Sequence, residues 1–559
     1  MKCRGSEIIC RLLERQGVEV VAGIPGGANL PLYDALLDSP IHHILARHEQ
    51  GAGFIAQGMA RVTGVPGVCL ATSGPGATNL LTAIADAKLD SVPLVAITGQ
   101  VPQAMIGTDA FQEVDTYGLT LPITKHNFLV RKPEELLEII PRAFELATSG
   151  RTGPVVVDVP KDVQLAAAEV GEWPEPGKAA APEPCDPATV RAMAERIRRA
   201  ERPVLYIGGG VAQAGAGGLA RELAHRIQAP VTCTLMGLGT VPCDDPLYLG
   251  MLGMHGARHT NHILDESDLL IVIGARFDDR ATGKVAEFCK HADILHVDID
   301  ASEIDKIKKS LISMVADAGL ALAGLLEHLE PLARPAWMER IETLRRAHPQ
   351  LPPAGDDPLL PLNLVRLLGE SADGETIVCT DVGQHQMWVA QAYPFRRPRT
   401  LLTSGGLGTM GFGLPAAIGA ALARPDTPVV CVSGDGSILM NIQELATLAE
   451  LDLNVKILLM NNAHLGLVRQ QQELFYNRRY LASSFQSQPD FAAIARGFGV
   501  RGMDLGGAAD PEKALRRALA EPGPCLINAP IRQTENVLPM VPPGAANREM
   551  IGGVTHAAV

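Results

Sequence analysis

Val429-Val-Cys-Val-Ser-Gly-Asp-Gly-Ser-Ile438 and Asn454-Val-Lys-Ile-Leu-Leu-Met-Asn-Asn462 decide the reading of this chain, with Asn462 standing 27 residues after Asp435. Each run is short and apolar, as strands buried on both faces of a parallel sheet are. Asn441 to Glu450 between them reads as a helix, so the stretch is a strand, a crossover helix and a second strand. In such folds ligands gather outside the carboxyl ends of the strands, where Asp435 and Asn462 fall. A carboxylate oxygen and an amide oxygen suit Mg²⁺, which keeps few protein ligands and fills its octahedron with water and phosphate oxygens. Gly434 and Gly436 let backbone N–H groups approach a diphosphate. Taken bare, a Gly-Asp-Gly turn is as easily structural. The second ligand at this spacing points to one cation holding a diphosphate.

Working outward, further strands are predicted at Val18 to Gly23, Gly67 to Thr72, Leu94 to Thr98 and Val155 to Val159. Others fall at Pro203 to Ile207, Leu269 to Ile273, Ile294 to Val297, Thr376 to Thr380 and Cys525 to Ala529. They alternate with helix-like stretches, the pattern of an α/β protein with doubly wound parallel sheets. The Pro- and Ala-rich residues 171–187 read as an extended linker, and a second break lies between Pro349 and Pro361. Three domains are therefore expected, over residues 1–170, 186–348 and 360–545, with a tail at 546–559. Ser73-Gly-Pro-Gly-Ala-Thr-Asn79 and Ser433-Gly-Asp-Gly-Ser437 each follow a strand and open a helix, so the first and third domains are expected to share a fold. Val541-Pro-Pro-Gly-Ala-Ala-Asn547 reads either as a lid or as a disordered tail.

Composition excludes several classes. With 559 residues, 47% hydrophobic and 20% charged, the chain is globular. A net charge of -13 and a pI near 5.6, without long basic runs, argue against nucleic acid or an anionic membrane as partner. Ten scattered cysteines, no Cys-x-x-Cys pair and no secretory apolar region after Met1 lead us to expect a reducing cytoplasm and no zinc site. Thr400 to Ala423 lacks any charge and is long enough to cross a bilayer, but seven Gly, Ser and Pro residues crowd it, so it is expected to be a glycine-rich turn running into a buried helix. Glu49, in Ala46-Arg-His-Glu-Gln-Gly-Ala-Gly-Phe54, sits where a strand meets a helix of small apolar residues. It is either a solvated helix-start carboxylate or a partly desolvated proton carrier.

Together these motifs, with Gly23-Ile-Pro-Gly-Gly27, Gly107-Thr-Asp-Ala-Phe-Gln-Glu113, Gly274-Ala-Arg-Phe-Asp-Asp-Arg280 and Gly383-Gln-His-Gln386, resemble those of thiamine diphosphate enzymes. The likeness runs nearly end to end with the acetolactate synthase (acetohydroxyacid synthase) large-subunit family, in particular its bacterial isozyme I type. The resemblance implies that Glu49 meets the thiamine pyrimidine and that Asp435, Asn462 and the backbone carbonyl of His464 hold Mg²⁺. It implies that Gln384, His385, Gly436 and Ser437 contact the diphosphate and that Gly408 and Met410 meet the pyrimidine, Met410 as the wedge that bends the cofactor. Without the family, Met410 is ordinary core filling. Phe111, Gln112 and Lys161 would reach the site from a neighbouring subunit. Arg280 would receive the carboxylate of the second 2-ketoacid, which its planar fork suits, although an ion pair with Asp278 or Asp279 is the plainer reading.

None of the middle-domain glycine motifs is a Gly-x-Gly-x-x-Gly fingerprint. By resemblance this domain binds FAD through Arg151, Gly208, Gly209, Gly210, Thr234, Leu235, Met236, His255, Gly274, Arg276, Asp298 and Asp300. The flavin would be structural, because the reaction needs no redox change; an empty Rossmann-like domain is the alternative. The implied activity joins the two-carbon unit of pyruvate to a second pyruvate or to 2-oxobutanoate, the first shared step towards valine, leucine and isoleucine. A homodimer or homotetramer is implied, with a separate valine-responsive small subunit. Gln471 stands where many relatives have a tryptophan against the extra methyl of 2-oxobutanoate, so weak discrimination between the acceptors is expected. His464 replaces a commoner acidic residue, but a backbone ligand should survive the change. The rivals are a pyruvate oxidase, with a redox-active flavin, and a silent nucleotide-binding scaffold. Glyoxylate carboligase is excluded, because it carries an apolar residue where Glu49 stands.

Overall fold

The computed structural model describes residues 1–553 and contains three six-stranded sheets, each parallel throughout. The first is built from Val20–Gly23, His42–Leu45, Gly67–Ala71, Leu94–Gln100, His126–Leu129 and Pro154–Pro160. The third is built from Ile377–Thr380, Leu401–Leu402, Val429–Gly434, Val455–Asn461, Arg501–Asp504 and Cys525–Pro530. With strands numbered in chain order within each sheet, both run 2-1-3-4-6-5. The shared fold expected from the two glycine turns is present. The middle sheet, Pro203–Ile207, Val231–Cys233, Tyr248–Met251, Leu269–Ile273, Asp293–Asp298 and Ile312–Val315, runs 3-2-1-4-5-6, the order of dinucleotide-binding folds. A short antiparallel pair, Lys2–Arg4 with Ala167–Glu169, closes the first domain.

The central strands are buried Val, Ile, Leu and Cys runs because helices cover both faces of each sheet. In the first and third sheets the strand order reverses beside the first strand, between Val20–Gly23 and Gly67–Ala71 and between Ile377–Thr380 and Val429–Gly434. There the loops at the carboxyl ends diverge and leave a crevice.

One helix pair joins the two like domains. Glu49–Thr63 lies against Gly413–Ala423, with Phe54 edge-on to Phe412 at 5.2 Å between ring centres. A Cβ on Gly58 would sit 2.2 Å from the Ala416 carbonyl oxygen, and one on Gly419 would sit 2.0 Å from that of Ile55. The small residues that filled the uncharged stretch Thr400–Ala423 thus serve close helix contact, and no helix among the described residues is long and apolar enough to cross a membrane. Gly419→Ala is expected to lower stability by about 1–3 kcal/mol or more, read from the denaturant midpoint, because backbone rather than a movable side chain meets the new methyl.

The C-terminal segment packs on the middle domain. Met540 pairs with Ile551, Asn547 Nδ2 donates to the Ala281 carbonyl at 2.8 Å, and Arg548 pairs with Asp265 and Glu287. The disordered-tail reading therefore fails up to residue 553, and residues 554–559 lie outside the described residues. The segment braces the turn carrying Arg280, since Lys284 N donates to the Ala545 carbonyl at 2.9 Å.

Candidate active site

At the switch point of the third sheet three loops converge. The first strand ends in Thr380, and buried Asp381 follows it, shortly before the helix Gln384–Ala392. The third strand ends in Gly434, and Asp435–Ile438 follows as one helical turn. The fourth ends in Asn461, followed by Asn462, Ala463 and His464. Ala463 has φ of +58°, a left-handed conformation that costs a non-glycine residue about 1 kcal/mol. This kink lets Asn462 Oδ1 accept from His464 N at 3.1 Å while its Nδ2 donates to Gln384 Oε1 at 3.1 Å. Gln384 Nε2 in turn donates to Gln470 Oε1 at 2.9 Å and to the Glu535 carbonyl at 2.8 Å. The amide of Asn462 is thereby held in one orientation.

Asp435 is buried, and burial pushes its carboxyl up to about 6, partly offset by the Gly436 N–H and by Gln488 Nε2 at 3.4 Å from Oδ2. No cluster of three His, Cys, Asp or Glu side chains among the described residues suits a metal. The oxygen set of one carboxylate, one amide and the nearby chain carbonyls is instead that of a hard cation that takes phosphate and water as its other ligands. His385 Nε2 is buried without a partner among the described residues, and burial pulls the imidazole down to about 3, so the ring is neutral. A Cβ on Gly434 would lie 2.9 Å from its Nδ1, so the strand-end glycine is what admits the ring. A Cβ on Gly436 would meet Leu465 Cδ2 at 2.7 Å, while Ser437 Oγ donates to the Val382 carbonyl at 2.7 Å. An orphaned ring nitrogen, glycine backbone and a buried carboxylate facing one crevice fit a diphosphate held through a divalent cation.

Sequence reading passed over Asp381, which ties this crevice together. Its Oδ1 accepts from Gly411 N at 2.7 Å and its Oδ2 from Ser433 Oγ at 2.9 Å, joining the loop of Gly408 and Met410 to the start of the Asp435 turn. Its place at a strand end, two residues before Gly383, was the available signal. Gly408 has φ of +70° and is exposed, and Met410 is half-buried.

In the first domain Glu49 is half-buried at the start of its helix, and its Oε2 accepts from Asn79 Nδ2 at 2.9 Å. A Cβ on Gly76 would lie 3.4 Å from Oε1, so the glycine turn after Gly67–Ala71 faces the carboxylate. No hydrogen bond or ion pair among the described residues links Glu49 to Asp435. Phe111 is 87% exposed, and Gln112, with φ of +59°, packs its backbone against Gly74. Lys161 is half-buried at the start of the helix Lys161–Leu165, directly after the strand Pro154–Pro160. Arg280 is exposed, with Nη1 3.6 Å from Asp279 Oδ2 and 3.8 Å from Met254 Sδ. Asp278 caps the turn instead, accepting from the N–H groups of Arg280 and Ala281. Gln471 is exposed on the helix Gly466–Phe475.

A cavity of about 680 Å³ lies at the carboxyl end of the middle sheet. Arg151, Gly209, Gly210, Thr234, Met236, Gly274, Arg276 and Asp298 line it; Leu235 lines a smaller one of about 150 Å³, which shares Asp90, Ser91 and Met236 with it. Gly208 packs on the Gly274–Ala275 turn, Asp300 pairs with Arg151 at 3.1 Å, and His255 is buried with Nδ1 3.4 Å from the Pro539 carbonyl. These three are not among its lining residues. Size, glycine lining and the Arg151 guanidinium suit a dinucleotide.

Family models of thiamine pyrophosphate enzymes match in chain order: the N-terminal TPP binding domain over residues 3–119, the central domain over 190–325 and the C-terminal TPP binding domain over 381–529. The chain is 57% identical to the acetolactate synthase isozyme 1 large subunit of Escherichia coli K12, over 98% of this chain and 97% of that protein. It is 48% identical to the isozyme 2 large subunit of the same organism, over 98% and 99%. It is 45% identical to the chloroplastic acetolactate synthase of Arabidopsis thaliana, over 98% and 84%. With all three domains matched and nearly every residue aligned, the chain belongs to the acetolactate synthase family of thiamine pyrophosphate enzymes.

Proposed function

We propose that the chain decarboxylates pyruvate with thiamine diphosphate and joins the retained two-carbon unit to a second pyruvate, giving 2-acetolactate, or to 2-oxobutanoate, giving 2-aceto-2-hydroxybutanoate. The observation that carries this reading is the convergence of Gln384, His385, Asp435 and Asn462 at one strand-end crevice in a chain of this family. Asp435, the Asn462 amide oxygen and the His464 carbonyl hold Mg²⁺. His385 Nε2, Gln384 and the Gly436–Ser437 turn hold the diphosphate. Thiamine supplies the electron sink for the pair left when pyruvate loses CO₂. Asn79 engages Oε2 of Glu49, leaving Oε1 to exchange a proton with the pyrimidine ring nitrogen. Met410 props the cofactor from the Gly408 loop. Arg280, loosely held, offers its fork to the carboxylate of the second ketoacid.

Both faces of a bound cofactor must be covered, so we place the complete site between the first domain of one copy and the third domain of another. Phe111, Gln112 and Lys161 then cover the crevice from the partner, and the minimum active unit is a homodimer, with a homotetramer as the larger assembly. The middle cavity takes FAD as a structural group, since two pyruvates give acetolactate and CO₂ without net oxidation. Relatives named as large subunits support a small regulatory partner, and we place the enzyme in the cytoplasm.

Product analysis tests the reading. With pyruvate, thiamine diphosphate, Mg²⁺ and FAD the purified chain, alone or with a small subunit, should release CO₂ and yield acetolactate, converted by acid to acetoin, with no oxygen uptake. Acetate or acetyl phosphate formed with oxygen consumption would replace it with an oxidase. Because Gln471 offers no large apolar face, competition between the two acceptors should give little preference, and Gln471→Trp should raise the share of 2-aceto-2-hydroxybutanoate by roughly tenfold, the worth of one methylene in an apolar pocket.

A further inference from the structure

The loop Ser404–Gly411, which carries Gly408 and Met410, is not held by strand pairing. Both its ends are tied to buried carboxylates. Asp381 takes Gly411 N, as described, while the other end is tied to the first domain. Asp90 Oδ2 accepts from Gly405 N at 3.0 Å and its Oδ1 from Gly406 N at 2.7 Å. Asp86 Oδ1 accepts from Ser404 Oγ, which itself accepts from Thr409 N at 2.8 Å. Arg61 Nη2 donates to Asp86 at 3.0 Å and to Asp90 at 2.9 Å, its Nη1 donates to the Thr403 carbonyl at 3.0 Å, and its guanidinium lies 4.8 Å from the centre of the Phe412 ring. Both carboxylates are fully buried and the arginine nearly so.

Two carboxylates on one guanidinium is more negative charge than an ion pair needs, and desolvation makes such an excess costly. Burial and Asp90 together push the Asp86 carboxyl up to about 6, with Arg61 pulling the other way. A single carboxylate would suffice to neutralise Arg61. The second is explained by its acceptors, because the Gly405 and Gly406 N–H groups have no strand to bond and both point at Asp90. Charge-assisted bonds of this kind fix geometry more strongly than neutral ones.

We propose that Asp90, with Asp86 and Arg61 behind it, is a positioning residue that sets the height of the Gly408–Met410 loop over the thiamine site. The inference rests on the reading of that loop as a cofactor contact. It is distinct from a general role in docking the two domains, which the close helix pair at Gly58 and Gly419 already provides. Asp90→Ala leaves the Arg61–Asp86 pair balanced, so the fold should persist. Gly406→Ala changes no charge, yet its Cβ would sit 2.9 Å from Leu89 Cβ and 3.0 Å from Asp90 Oδ1, lifting the loop while Arg61, Asp86 and Asp90 all stay in place.

The experiment titrates the full chain with thiamine diphosphate and Mg²⁺, following quenching of Trp388, which is buried on the helix opened by Gln384, alongside thermal melting. Asp90→Ala and Gly406→Ala are expected to weaken cofactor binding by about tenfold or more. Asp90→Asn, which keeps one acceptor for the glycine N–H groups, should recover part of it. Unchanged cofactor affinity in both Asp90→Ala and Gly406→Ala, whatever happens to the melting temperature, would overturn the inference and leave only a docking role. Failure of the wild-type chain to bind thiamine diphosphate would overturn the functional reading itself.

Discussion

Asp435→Asn is expected to remove turnover, by at least about a thousandfold, while the chelator-treated protein melts no lower than wild type. The two effects have one cause. Burial pushes the carboxyl up to about 6, which is to say that the charged form is costly in this crevice, and among the described residues only the Gln488 side chain, at 3.4 Å, reaches it. A cation repays that cost and an amide does not incur it. Asn also keeps an acceptor for the Gly436 and Ala463 N–H groups, so the turn itself should hold. Activity assayed across a Mg²⁺ series, with calorimetric melting of the chelated forms, reads both halves. A variant that keeps more than a tenth of wild-type turnover at ordinary Mg²⁺ would remove Asp435 from the metal set.

Glu49→Gln is expected to lower kcat by about 10²- to 10⁴-fold, the usual worth of a positioned proton carrier, with cofactor binding nearly unchanged. Gln matches the shape of Glu and can still accept from Asn79. What it cannot do is carry a proton to the pyrimidine nitrogen. The same variant tests the shared site. Glu49→Gln and Asp435→Asn are each inactive, but if each site takes Glu49 from one copy and Asp435 from another, a hybrid dimer has one site intact and one doubly damaged. Random mixing makes half the dimers hybrids with one good site of two, so about a quarter of wild-type activity should return. If each site is built within one chain, mixing restores nothing.

Much of the fold and of the candidate site was legible in the sequence. Asp435, Asn462, the glycines around them and the central strands follow from local rules, because a strand buried on both faces must be a continuous apolar run and a diphosphate turn must be glycine-rich. Pro203–Ile207 and Leu269–Ile273 have the predicted ends, and other central strands shift by one or two residues. Most of the unpredicted strands, His42–Leu45, His126–Leu129, Tyr248–Met251, Ile312–Val315, Leu401–Leu402 and Arg501–Asp504, lie at sheet edges. An edge strand pairs on one side only and is half open to water, so His42, Ser313 and Arg501 are tolerated there and the apolar pattern fades. Val231–Cys233, buried but three residues long, lacked the length to register.

By itself, then, the sequence determined the class of fold and the family, and it singled out Glu49 and the Asp435–Asn462 motif as candidates, since each depends on residues close in the chain or on a likeness running along it. Tertiary structure decided what lies far apart in sequence: the like strand order of the first and third domains, Asp381 bridging Gly411 and Ser433, and Arg61, Asp86 and Asp90 holding a loop more than 300 residues away. A buried carboxylate looks the same in a sequence whether it binds metal, arginine or backbone N–H groups. Only the groups that folding brings to it, as the cost of leaving it unpaired demands, assign its role.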